Sequence, residues 1–365
     1  MSATASAPGG AFTTKDRSIQ ALRGVACILV VMLHSRGFGS YSLPMEEHPS
    51  VHGPLLLLEY LRMPLFTFLS GYVYAIRPIT TGTRPWRFLR AKTRRLMLPM
   101  LVVGTVFMIA IETIPGWSPE NIVRPWWTWH IIPVAQFWFI WAIFWCFLVV
   151  AYLDYRGWLS RRSWMLTAII LVLIASSALP KGARSPFALL AAVYLALFFL
   201  AGIACRRFDW RGTSPRWHVL TLGAFVVLLG STIVLTAFGM RPPADELIGN
   251  LLGLVACMLL LLLRLRWRPL ELIGSHAFPV FLFHFGLIQI WRVILVSLHI
   301  DNVIFATISG TLVGILASIA LERLVRMSRV TSTLVLGERW APRKARTASD
   351  SRESARPQSE RPEGS

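Results

Sequence analysis

Apolar residues in this chain come in long unbroken runs, not in the alternation of a half-buried strand. Ten runs can be drawn, over 18–36, 55–77, 96–114, 131–153, 164–180, 186–205, 217–239, 246–264, 276–298 and 302–326. About 20 apolar residues wound as an α-helix at ~1.5 Å per residue match the ~30 Å hydrocarbon thickness of a bilayer. The pattern therefore predicts an all-α polytopic membrane bundle of about ten transmembrane helices, of which the fifth and sixth are short. Residues 1–17 read as a disordered cytoplasmic N-tail, 18–326 as the membrane domain and 327–365 as a mostly disordered cytoplasmic C-tail. Residues 341–365 hold no aromatic, Ile, Leu or Val, so they cannot build a core. No long apolar run precedes Ile19, and the first span is expected to double as an uncleaved signal anchor.

Composition agrees, since 55% apolar and 15% charged residues exclude an ordinary soluble globule. The net charge of +19 would invite a nucleic-acid partner, but its distribution points to membrane topology instead. Of 37 Lys and Arg, 29 fall in the tails, in the loops that share their side or, for Arg77, Arg264, Arg323 and Arg326, at the adjoining span ends, and 4 in the opposite loops. That split places both termini in the cytoplasm and leaves membrane lipids, not nucleic acid, as the surroundings. Cys27, Cys146, Cys205 and Cys257 sit in or at the ends of spans without metal spacing and read as small buried apolar residues. Trp117, Trp126, Trp127, Trp129 and Trp138 cluster near an outer connection, as an interfacial belt or as a platform for stacking sugars. Gly310 and Gly314 form a GxxxG that predicts helix packing. No internal repeat, metal-ligand spacing, Gly-rich phosphate loop, HExxH or GxSxG is present.

Chemistry-bearing groups concentrate in a few places. Arg23 and His34 are eleven residues apart on the first span, which puts them on one helical face about 16 Å apart along the axis. Lipid would reject both, so they are expected to face protein or a wet cavity, with His34 in the outer half of the membrane. A neutral imidazole there can take a proton from a hydroxyl, or simply hydrogen-bond a neighbouring helix. Glu59 and Arg62 are three apart on the second span and can pair. They either orient His34 and an acceptor or serve as an ion-pair scaffold. Pro64 and Ser70-Gly71 on the same span permit a kink and a close backbone approach. Before the third span, Arg87, Arg90, Lys92, Arg94 and Arg95 form a dense basic stretch, read as membrane anchoring or as an anion site for phosphates. Glu112 is a second candidate partner for His34. Asp245 and Glu246 read as solvated, His284 as a core hydrogen-bonding residue or proton relay, and His48, His52 and His130 as loop residues. Intramembrane Arg, Glu and His would also suit a multi-pass transporter of a sugar, lipid-linked saccharide or proton-coupled solute; the lack of inverted repeats and the one-sided basic stretch argue against it.

Four of these segments together resemble the type 3 acyltransferases, a family of integral-membrane enzymes. They are Ile19-Gln20-Ala21-Leu22-Arg23-Gly24 through His34, Arg62-Met63-Pro64-Leu65-Phe66 through Tyr72, Lys92-Thr93-Arg94-Arg95, and Gln136-Phe137-Trp138. Phe278-Pro279-Val280-Phe281-Leu282-Phe283-His284 is a fainter echo. Gln20 stands where many members have Asp, which is similar to the branch that modifies exopolysaccharides; Lys92 replaces the first Arg of the family's R-x-x-R. The family's appended esterase-like domain has no counterpart, so the resemblance implies a stand-alone enzyme of a bacterial inner (plasma) membrane. It further implies transfer of an acyl group, usually acetyl, from cytoplasmic acetyl-CoA to a hydroxyl of a carbohydrate or lipid-linked glycan, in company with polysaccharide biosynthesis machinery. The CoA phosphates would rest near Lys92, Arg95 and Arg23, with Arg87, Arg90 and Arg94 sharing the basic surface. The pantetheine arm would thread a polar channel toward His34, acting as general base or as a transient acyl carrier, and Arg62 would stabilise the oxyanion.

Overall fold

The computed structural model describes residues 16–79, 84–118, 125–179 and 185–340. Among these residues there is no strand, and the elements are α-helices, short 3-10 turns and one π turn. In chain order the helices are α1 (Arg17–His34), α2 (Pro49–Tyr74), α3 (Pro85–Lys92), α4 (Leu98–Thr113), α5 (Phe137–Tyr155), α6 (Arg162–Ala178) and α7 (Leu189–Arg207). They continue with α8 (Pro215–Ala237), α9 (Leu247–Leu262), α10 (Arg268–Ser275), α11 (Ala277–Ser297), α12 (Val303–Met327) and α13 (Arg329–Leu336). Every predicted run has its helix. Among the described residues, seven stretches are long and apolar enough to cross a membrane: α1, α3 with α4, α5, α7, α8, α11 and α12. The other three predicted spans are α6 and α9, shorter at 17 and 16 residues, and α2, which carries Glu59 and Arg62 within its 26.

Two local findings alter the sequence-based picture. The basic stretch before the third span is not a loop; α3 runs into α4 through a π turn at Thr93–Met97, giving one helical element over Pro85–Thr113. A π turn widens the helix by one residue and is a common device at functional sites. The second finding is the short helices α10 and α13, in stretches read as loop and tail. Five residues separate α10 from α9 and one from α11, and it lies along α1.

Close packing of α2 on α7 and of α1 on α10 rests on glycine. Gly71 of α2 and Gly202 of α7 face each other's backbones: a Cβ on either would fall inside a carbonyl group, that of Phe199 or of Phe68. Gly24 of α1 and Gly274 of α10 form the same reciprocal contact with the carbonyls of Leu270 and Gln20. Only a residue without Cβ lets two backbones approach this far. Gly310 and Gly314 of α12 pack against Ser35, Val31 and Ile288, so the GxxxG serves contacts within the bundle. All four cysteines are free and buried.

Ion pairs tie the helix ends together at the basic end of the bundle. Arg211 bridges Asp16 at 3.0 Å and the Ser18 hydroxyl at 2.8 Å, Arg17 reaches Glu271 at 2.7 Å, and Arg207 holds Asp154 through both carboxylate oxygens. Burial would raise the Asp16 carboxyl, but the Ser18 and Arg211 hydrogen bonds outweigh it and hold the group below the ordinary carboxylate range. On the periphery α8 buries only Thr232 and exposes Val219, Leu220, Val226 and Val227, as a lipid-facing helix does.

Candidate active site

His34 ends α1, and the residues around it come from α11 and the segment that follows α1. Its ring lies 5.3 Å from that of His284 and 4.8 Å edge-on from Phe285, centroid to centroid. Phe285 in turn stacks face to face on Phe38 at 4.8 Å. Phe38 is fixed by the Gln289 amide, which accepts from its N–H at 3.1 Å and donates to its carbonyl at 3.0 Å. Arg292 donates to the Tyr41 carbonyl one step further along. Gly37, at φ +71°, lets the chain turn against Arg292 and Gln289. The imidazole of His34 is thus positioned by a stack whose base is clamped to α11. It is half-buried and makes no hydrogen bond to the described residues. Its charged neighbours are Arg62 and Arg36.

Of the two readings that the sequence left open for His284, the contacts show the core hydrogen-bonding one. Its Nδ1–H donates to the carbonyls of Val280 (2.9 Å) and Phe281 (3.0 Å), as a core histidine would. Both partners are acceptors only, so the proton is on Nδ1 and the neutral ring leaves a lone pair on Nε2. That Nε2 is buried with no partner. An orphaned acceptor at full burial, beside a second imidazole, is costly unless something passing through uses it.

Away from the basic stretch lies a second cavity, the outer cavity below, of about 640 Å³, lined by Glu59, Arg62, Trp138, Tyr194, Arg241 and Asp245 among others. Glu59 and Arg62 pair at 3.3 Å, as their spacing predicts, but the tighter partner of Glu59 is Arg241 at 2.5 Å. Arg241 also donates to the Leu56 carbonyl, and Tyr60 donates its hydroxyl to the Pro242 carbonyl. Arg62 and Arg241 each retain a buried Nε–H without a partner. The volume is in the range of small-molecule sites, and its walls mix aromatic surface with N–H donors. Asp245 borders this cavity and is not simply solvated. Trp126 and Trp127 are exposed, as belt residues are, whereas Trp138 faces the cavity. Glu112 accepts from the indole of Trp129 at 2.9 Å and is not seen bonded to His34.

Toward the basic end lies a smaller cavity of about 240 Å³, lined by Arg23, Ser70, Phe147 and Gly274 among others. No carboxylate among the described residues pairs with Arg23. Lys92 sits with Nζ 3.2 Å from the centroid of Phe147, and its charged neighbours are Arg95 and Arg23. The structure therefore brings Arg23, Lys92 and Arg95 to one place. Arg94 instead packs its main chain against Gly337 after α13, and Arg87 and Arg90 are exposed on α3. The polar channel expected between Arg23 and His34 is interrupted. Phe66, Phe139 and Phe281 meet across it, with centroid distances of 6.2, 6.2 and 5.1 Å. Each reads in sequence as ordinary core; only the convergence of α2, α5 and α11 places them in one seam.

Sequence reading missed Arg241, Phe285, Gln289 and Arg292. Arg241 stands in a short loop next to two prolines and carries no spacing signal, and Gln289 and Arg292 are polar residues inside an apolar run. The latter two could have been marked on that ground alone, since polar groups in a span need a reason.

Comparison with curated proteins and with solved structures returned no match. A family model for an acyltransferase domain, that of the type 3 acyltransferases, matches residues 16–323, from the start of α1 almost to the end of α12. Nothing in the fold or the comparisons favours a carrier. The chain belongs to the type 3 acyltransferase family and is a multi-pass membrane acyltransferase.

Proposed function

We propose that the protein moves an acyl group, acetyl in the first instance, from acetyl-CoA on the basic side of the membrane to a hydroxyl of a carbohydrate on the other. The observation that carries this reading is a pair of cavities, one lined by Arg23 of α1 and the other by Arg62 of α2, with Arg62 also a charged neighbour of His34. Donor phosphates are held by Arg23, Lys92 and Arg95, with Arg87, Arg90 and Arg94 extending the basic surface. The acceptor occupies the outer cavity, its ring against Trp138 and its hydroxyls on Arg62 and Arg241. A lipid-linked or exported polysaccharide suits a cavity of this size that opens toward the outer loops. In this arrangement about ten helices cross a bacterial inner membrane, with both termini in the cytoplasm.

In the transfer step the acceptor O–H gives its proton to His34 as its oxygen attacks the thioester carbonyl. The C–O bond forms, the C–S bond breaks, and the proton on His34 passes to the departing thiolate. Arg62 stabilises negative charge on the carbonyl oxygen, and its electrostatic proximity to His34 places it for that task. Transfer through an acyl-His34 remains chemically equivalent in its products. The test is thioester consumption by the purified protein in nanodiscs, with extracted cell-surface glycan as acceptor. Acceptor-dependent release of free CoA, with acyl groups recovered on the glycan, supports the reading. A protein that binds glycan yet cleaves no thioester overturns it.

A further inference from the structure

The inner cavity has an aromatic wall. Phe66, Phe139 and Phe281 all line the inner cavity and touch one another. Immediately beyond them on the same helices stand Arg62, Met63 and Trp138, which line the outer cavity, and His284, whose ring is 6.1 Å from that of Phe281. The three phenylalanines therefore wall the inner chamber and stand within a helical turn of residues that line the outer one. Phe281 is 5% and Phe139 7% exposed, so away from the cavity that they line both rings are buried.

We infer that this triad is the acyl-size filter of the enzyme, an inference that rests on the acyl-transfer reading above. To reach His34 the acyl end of the donor has to pass between rings that now touch. Edge-to-face aromatic contacts are individually weak, and a rotamer change of one ring admits a two-carbon group. A longer chain must keep rings displaced along its length, losing their mutual contacts without replacing them in a 240 Å³ chamber. The filter selects short acyl donors by exclusion, because a hydrophobic site discriminates against added methylenes only where there is no room for them. The same seam keeps water in the outer cavity from reaching the thioester until an acyl group parts the rings.

The test compares acetyl-CoA with hexanoyl-CoA as donor, using membrane vesicles that carry the full chain. The acceptor is glycan extracted from cells lacking the gene. The wild type is expected to prefer acetyl-CoA by at least a hundredfold in kcat/KM. Phe139→Ala and Phe66→Ala are expected to reduce that preference at least tenfold, and Phe139→Leu and Phe66→Leu to reduce it by a smaller factor. The leucine variants carry the measurement if the alanine variants lose their single peak in size-exclusion chromatography. Well-folded variants with the wild-type preference, or a wild type indifferent to chain length, overturn the filter while leaving acyl transfer intact. Absence of turnover with every donor overturns acyl transfer, and the filter with it.

Discussion

His34 and His284 sit with their rings 5.3 Å apart, one at the end of α1 and the other a third of the way along α11. The two are not equivalent. Nδ1 of His284 is committed to main-chain carbonyls, and its Nε2 is left as a buried acceptor without a partner. His34 has no such tie. A lone pair held rigid beside a second imidazole can accept a hydrogen bond from a hydroxyl or from that ring. His284→Phe keeps a ring in place and removes the lone pair. It is expected to lower kcat roughly ten- to a hundredfold with little change in donor KM, on the scale of general acid–base effects. An unchanged kcat would confine His284 to packing.

His34→Ala is expected to abolish transfer, a loss on the order of 10²–10⁴-fold or more if the ring is the base. Insertion should survive, because the half-buried ring of His34 makes no hydrogen bond to the described residues. Radiolabelled acetyl transfer together with size-exclusion behaviour in detergent checks both halves.

The donor end should respond through KM. Arg23→Ala leaves the inner cavity without the guanidinium that lines it, and Arg95→Ala thins the neighbouring charge. Each is expected to raise the acetyl-CoA KM several-fold while kcat changes less. Lys92→Arg should be neutral or mildly favourable, since a guanidinium can stack on Phe147 as the ammonium does and adds a planar fork for phosphate. A steady-state donor titration separates these outcomes, and a large loss for Lys92→Arg would remove that residue from phosphate contact.

Gly71→Val and Gly202→Val should be structural lesions. Each side chain would start inside a carbonyl of the facing helix, so α2 and α7 must separate. The expected cost is at least the ~1–3 kcal/mol of overpacking, visible as a lower unfolding temperature in detergent. Gly223→Val on lipid-facing α8, with nothing within 4 Å of its Cβ, is the control expected to leave stability nearly unchanged.

The basic end of the bundle should loosen in acid. Asp16 is held below the ordinary carboxylate range when folded, so its contribution is present above the unfolded-state pKa. It is lost as pH falls through the folded-state value. Asp16→Asn should lower the unfolding temperature near pH 7 and make little difference once the wild-type carboxyl is protonated. A scan of unfolding temperature against pH for the two proteins checks the sign.

Much of this protein is legible in one dimension because a bilayer imposes a one-dimensional rule. Lipid satisfies no backbone group, so each span must be a long apolar helix, and the runs show it directly. Arg23 and His34 could be placed on one face because both lie on a single helix whose period is known. Glu59 and Arg62 paired as predicted for the same reason: three residues apart on a helix is a distance fixed by local geometry. What sequence alone leaves open is everything that depends on which helix faces which. Arg241 reaches Glu59 across more than 180 residues, Gln289 holds Phe38 across 251, and His284 meets His34 from a different span. Phe66, Phe139 and Phe281 are indistinguishable from other core phenylalanines until three helices converge. Local periodicity determined which residues share a helix face, and the side-chain packing between helices decided which faces meet and which residues wall the two cavities.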